Sequence, residues 1–148
     1  MRVSEVKLSV IVHEGEDYNK IKEKVLDLLE GIDKEKVDII ENRGEGIVSS
    51  NLIYISVKIK KKEHIHTFFR NLIKRGLDID RFLDEMNFDE DYNIYVRLDK
   101  SYLLEKDKVF PLYGDDVFHL KISIDGYGKD KEKVRDFFER YLKEVSNL

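Results

Sequence analysis

The chain has no cysteine, which removes disulfides, thiolate zinc sites, iron–sulfur clusters and cysteine nucleophiles from consideration. Tryptophan, glutamine and alanine are absent as well, and Pro111 is the sole proline. No apolar run approaches the ~20 residues that cross a bilayer, and no charged-then-apolar leader opens the chain. These absences lead to the expectation of a cytoplasmic protein without a membrane partner. No linker, low-complexity tract or internal repeat interrupts the 148 residues, so residues 1–148 are expected to form one domain. A chain of that length buries roughly two-thirds of its extended surface, enough for a core without staples.

Charge is what the sequence has in excess: 39% of the residues are Asp, Glu, Lys or Arg, with a net charge of −4. Abundant Lys and Glu with few thermolabile side chains fits a thermophile; codon bias in an AT-rich genome gives the same composition. The acidic balance excludes a surface that is basic everywhere. It leaves room for a local basic patch, because screening isolates exposed charges beyond ~8–10 Å. The charges are unevenly placed. Tyr54–Arg75 holds seven cations against the single acid Glu63, whereas Asp78–Asp91 holds seven acids against Arg81. The basic stretch suits phosphates and the acidic one a basic protein partner, with plain solubility as the alternative for the latter.

Hydropathy alternates with period two along Val6–Val12, Leu52–Lys61, Tyr92–Leu98 and Val117–Asp125, and a weaker strand lies near Lys36–Asn42. Helical spacing relates Tyr18, Ile21, Val25, Leu28, Leu29 and Ile32, with Asp17 as N-cap and Gly31 as stop. It recurs in Ile65, Phe68, Phe69, Leu72 and Ile73 before Gly76, in Ile79, Phe82, Leu83 and Met86, and in Val134, Phe137, Phe138, Tyr141, Leu142 and Val145. The order is β-α-β-β-α-α-β-β-α. Strands that alternate cleanly have one wet face, which predicts an α+β two-layer sandwich: a mostly antiparallel sheet with helices on one face.

The outward strand positions are then Lys7, Ser9, Tyr54, Ser56, Lys58, Lys60, Tyr95, Arg97, His119 and Lys121, with Asp125 the one acid among them. Cations contact phosphates and tyrosines stack on unpaired bases, so this face reads as an RNA-binding surface. An ordinary solvated face is the competing reading, since strand lysines also discourage edge aggregation. Signals for catalysis are weaker. His64 and His66, two apart, do not share a helix face, and no metal site or cofactor is expected from them. Asp115-Asp116 and Asp89-Glu90-Asp91 read as turn or capping acids before they read as Mg²⁺ ligands. Gly44-Glu45-Gly46, in an expected hairpin loop over Arg43–Asn51, lacks the helix and lysine of a phosphate loop.

The stretch Tyr95-Val96-Arg97-Leu98-Asp99-Lys100, followed by Tyr102-Leu103 and by Gly114-Asp115-Asp116-Val117-Phe118-His119-Leu120-Lys121, resembles an archaeal family of exosome-associated RNA-binding proteins. The strand ending in His13 before Glu14-Gly15-Glu16-Asp17, the basic junction Lys58–Lys62 and Phe68-Phe69 are similar too. The resemblance implies a fold like that of double-stranded-RNA-binding domains, related to the ribosomal protein that binds 5S rRNA. It also implies RNA as partner, exosome or ribosome-associated proteins as further partners, and no catalysis by this chain. Arg97 and Lys100 match the family best. The expected RNA-binding residues are Lys58, Lys60, Lys61, Lys62, Tyr95, Arg97, Lys100 and Lys121. Asp99 is expected to cap a short helix through Ser101–Leu104, with an Arg97–Asp99 ion pair as the structural alternative. Two other functions compete. One is a protein-interaction subunit, a homodimer included, anchored on outward Ile11 and Tyr54. The other is a metal-dependent phosphoryl-transfer enzyme using Asp115 and Asp116.

Overall fold

Alternation with one wet face leads to a single open sheet, and the computed structural model, which describes residues 1–43 and 51–147, has one. The chain runs β1 (Arg2–Val12), α1 (Tyr18–Leu28), a 3₁₀ turn (Lys34–Lys36), β2 (Asp38–Arg43) and β3 (Ile53–Ile59). It continues through α2 (Lys62–Lys74), α3 (Ile79–Glu85), β4 (Asn87–Phe88), β5 (Ile94–Asp99), α4 (Lys100–Lys106), β6 (Val117–Asp125) and α5 (Lys131–Ser146). The six strands lie in the order β2-β3-β1-β6-β5-β4, every neighbour antiparallel. This is the expected α+β architecture, with β4 added and with α4 where the short helix through Ser101–Leu104 is expected. β4 has two residues, too few to show a period, and α4 follows β5 directly. The Gly44-Glu45-Gly46 loop lies outside the described residues.

The inward positions of the strands are buried as the alternation requires: Val6, Leu8, Val10, Ile55, Val57, Ile94, Val96, Leu120 and Ile122 among them. All five helices cover that face. Between α2, α3 and α5 the packing is aromatic. Phe69 meets Phe138 edge-on at 5.5 Å between centroids, and Phe82 stacks on Phe138 at 5.7 Å. Truncating Phe138 there would cost about 3–5 kcal/mol.

Aspartates start the helices. Asp17, Asp78, Asp99 and Asp130 each accept a hydrogen bond from the backbone N–H three residues on, at 3.1, 3.2, 3.3 and 2.8 Å. Each cap contributes about 1 kcal/mol. α2 is the exception: Lys61 occupies its cap position and makes no side-chain cap bond. Gly31 and Gly76, with φ of +80° each, turn the chain after α1 and α2 where a side chain would be strained.

Candidate nucleic-acid interface

Strand register decides which outward side chains become neighbours. On the uncovered face, Lys58 of β3 lies directly opposite Lys7 of β1, and Lys7 lies directly opposite Lys121 of β6. Tyr95 of β5 pairs with Lys121, and Asn87 of β4 with Tyr95. Three lysines and a tyrosine therefore form one row across four adjacent strands. The row ends at Asp38 of β2, opposite Lys58. The next row holds Ile40, Ser56, Ser9, His119 and Arg97.

Like charges directly opposite on neighbouring strands repel, by roughly 0.2–1 kcal/mol per pair. Here the repulsion is eased by divergence. The Lys7 ammonium lies 5.7 Å from the Tyr54 ring centroid and the Lys121 ammonium 5.7 Å from that of Tyr95. Among the described residues, neither these two lysines nor Lys58 forms an ion pair within 4 Å. Tyr95 is itself anchored, its hydroxyl donating to Asp89 at 3.2 Å. Arg97 is held more firmly. Its Nη1 donates to the Gly114 carbonyl at 2.8 Å, and its guanidinium lies 4.7 Å from the centre of the exposed Tyr113 ring. The remaining guanidinium donors are fixed in direction, which suits bidentate contact with a phosphate. Between Arg97 and Ser9 sits His119. Partial burial of its ring, and then the charges of Arg97 and Lys100, hold its pKa below the ordinary histidine value.

The structure thus gathers Lys58, Tyr95, Arg97 and Lys121 on one surface and puts Lys7, an outward strand position, at its centre. Lys60, Lys61 and Lys62 are exposed but lie at the β3–α2 junction, on the rim beyond the open face. Lys100 corrects the expectation. It is 2% exposed, and its ammonium donates to the Ile11 carbonyl at 2.9 Å while pairing with Glu16 at 3.1 Å and Asp116 at 3.0 Å. The family resemblance marks Lys100 for RNA; the alternation itself continues inward from Ile94, Val96 and Leu98 to Lys100 at the start of α4. Asp99 caps α4, as expected, through the Tyr102 N–H at 3.3 Å. No Arg97–Asp99 ion pair forms. Tyr113 and the Gly114 carbonyl, which brace Arg97, come from an irregular stretch with no periodic signal.

Of the acids expected to serve turns, Asp89 does so, whereas the Asp116 side chain pairs with Lys100. Asp89 accepts from the backbone N–H groups of Asp91 and Asn93, each at 2.9 Å. Partial burial opposes its ionisation, but these bonds, with the Asn93 side chain and the Tyr95 hydroxyl, keep its carboxyl below the usual range. Among the described residues no three His, Asp or Glu side chains come together as a metal could require. No helix among them is long and apolar enough to cross a membrane.

The same architecture recurs in solved structures. A protein of Archaeglobus fulgidus, AF2318, superposes with a TM-score of 0.73 at 24% identity, covering 95% of this chain and 99% of its own. Mth689 of Methanothermobacter thermautotrophicus, described as a DUF54 protein, gives 0.70 at 22% identity, with 95% and 98% covered. At those identities the likeness establishes the fold. Closer in sequence is protein MJ0213 of Methanocaldococcus jannaschii, 31% identical over 143 residues, which are 88% of this chain and 93% of the relative. A family model described as "RNA binding" matches residues 5–124, from the first strand through the last, and so includes every member of the lysine row. The chain belongs to this archaeal RNA-binding family.

Proposed function

We propose that this protein binds RNA across its open sheet face, as a non-catalytic factor in RNA processing or degradation, linked to the exosome or to ribosomal RNA metabolism. The observation that carries the reading is the row Lys58–Lys7–Lys121. Three cations held in direct opposition, with no ion pair within 4 Å among the described residues and Asp38 as the acid that ends the row, raise the free energy of the unliganded face, and phosphates lower it. Tyr54 and Tyr95 beside them supply ring surfaces on which unpaired bases stack. Arg97 supplies a braced fork at the row's flank.

Nothing in the arrangement calls for a reaction at this face: it offers cations, hydroxyls and rings, and no activated nucleophile or gathered carboxylates. The acidic stretch Asp78–Asp91 lies around α3 and β4, at the sheet edge beside Tyr95. It is suited to a basic protein of the same RNA machinery.

The test is a salt titration of binding to a hairpin and to an unstructured RNA. The slope of log affinity against log salt should be about −0.7 per phosphate contacted for a single strand. Three row contacts give about −2. Lys7→Glu, Lys58→Glu and Lys121→Glu together should weaken binding about a hundredfold and flatten the slope. Unchanged affinity in the triple variant would place the interface elsewhere.

A further inference from the structure

A second basic feature lies away from the sheet face. Where β1 begins and β3 passes into α2, a cleft of about 670 Å³ opens toward α5, within the size range of small-molecule sites. Lys60 and Lys62 stand on one lip and Glu144 on the other, with His66, Phe137 and Tyr141 forming the wall. The rings are arranged as a surface. His66 and Tyr141 lie 5.5 Å apart between centroids, and Phe137 and Tyr141 6.4 Å.

Three properties distinguish this cleft from ordinary surface. First, Lys60 and Lys62 have no ion-pair partner among the described residues, although Glu144 lines the same cavity. Second, the Tyr141 hydroxyl is buried without a hydrogen-bond partner among the described residues, and a polar group in that condition favours an incoming donor or acceptor. Third, burial, with the nearby charges of Lys62 and Arg70, lowers the His66 pKa against the opposing pull of Glu144 and Glu63. A neutral imidazole is a flat ring that both donates and accepts. α2 also starts at this lip without a side-chain cap, which adds positive potential for an anion.

An aromatic wall, two free ammonium groups on one side and a carboxylate on the other match one chemical class. We infer that this cleft binds a single nucleoside phosphate. The base lies against His66, Phe137 and Tyr141, the phosphate meets Lys60 and Lys62, and Glu144 accepts hydrogen bonds from the ribose hydroxyls. The nucleotide is either free or the terminal residue of an RNA chain. The inference does not depend on the sheet face binding RNA, since the lysine row and this cleft share no residue; Lys60 and Lys62, expected from the sequence to contact RNA, stand on the rim.

The experiment is an NMR and calorimetric titration of the full chain with AMP, with UMP and with inorganic phosphate. The mononucleotides should bind at sub-millimolar concentration and shift His66 and Tyr141 resonances, with inorganic phosphate at least about tenfold weaker. Lys60→Ala with Lys62→Ala, both exposed, should weaken AMP about tenfold, as should His66→Ala. Lys7→Glu with Lys121→Glu should leave AMP binding intact, which keeps failure of this site distinct from failure of the RNA face. Absence of any shift at His66 or Tyr141 up to about 10 mM nucleotide overturns the inference, and so does AMP binding that survives both cleft variants. A short RNA with a 5′-phosphate that displaces AMP better than its 5′-hydroxyl counterpart identifies the chain end as the occupant. Displacement by neither RNA identifies the free nucleotide.

Discussion

Lysine meets two opposite environments within a few strands of each other. Lys100 is enclosed, and every donor of its ammonium has an acceptor in Glu16, Asp116 or the Ile11 carbonyl. Lys58, Lys7 and Lys121 stand in a line on an open face, Lys7 with like charge on either side, Lys58 between Lys7 and Asp38, and Lys121 between Lys7 and Tyr95. The first lysine joins the turn after β1 to the start of β6, and its charge is already neutralised. The other three form no ion pair within 4 Å among the described residues. The same residue type is structural where acids surround it, and in the proposed function it meets phosphate where they are fewer. Formal charge counts do not distinguish the two.

Breaking that comparison at its structural end should have the largest effect on stability. Lys100→Ala leaves the Ile11 carbonyl and two carboxylates without their partner. Glu16 and Asp116 retain solvent access, which moderates the loss. About 2–3 kcal/mol is expected in urea denaturation, with RNA affinity of the folded fraction unchanged. The triple reversal on the row should do the opposite, lowering RNA affinity about a hundredfold while moving the urea midpoint little.

Acidity sharpens the contrast through His119. Its pKa in the folded protein lies below the unfolded value, so the unfolded chain binds the proton more readily. Stability attributable to this group is therefore complete above about pH 6.5 and declines as pH falls toward and through the folded value. RNA reverses the balance, because a phosphate beside Arg97 and His119 favours the imidazolium. Affinity should rise by up to about tenfold between pH 7.5 and 5.5 for each unit by which RNA raises that pKa. His119→Asn should abolish the rise, and a pH series of binding isotherms reads it directly.

Smaller effects are expected where caps and like charges act alone. Asp99→Ala removes the α4 cap at about 1 kcal/mol, or about 2–4 °C in Tm. Lys7→Met without RNA should stabilise the sheet by a few tenths of a kcal/mol, more at low salt than at high. A loss of stability in Lys7→Met would mean that its stacking on Tyr54 outweighs the repulsion.

The strands with one wet face were legible from the sequence because alternation records burial directly: β1, β3, β5 and β6 all fall where period two puts them. The outward set was legible for the same reason. Its assembly into rows was not. Lys7, Lys58 and Lys121 are far apart in the chain, and only strand order and register make them adjacent. Lys100 was misplaced because the resemblance, and not the alternation, marked it for RNA; Ile94, Val96 and Leu98 set a parity that carries residue 100 inward. Tyr113 left no signal, since its position over Arg97 arises in a segment that is neither helix nor strand. The cleft beside α5 is a meeting of three elements, each of which looks like ordinary amphipathic structure in isolation.

The rim of the sheet has a consequence of its own. At one end, β4 is two residues long, and the rest of the β5 edge is bridged by the segment 110–112, through an Asp99 N–H bond to the Phe110 carbonyl and a Leu112 N–H bond to the Arg97 carbonyl. The chain's sole proline, Pro111, sits in that segment opposite Leu98, where it presents no N–H to a further strand. At the other end, β2 exposes Asp38, Glu41 and Arg43. The β5 border is therefore closed to strand-by-strand growth into fibrils, and at the β2 border exposed charges discourage it. With strand addition disfavoured at its edges, the sheet offers a partner its face, where the lysine row stands.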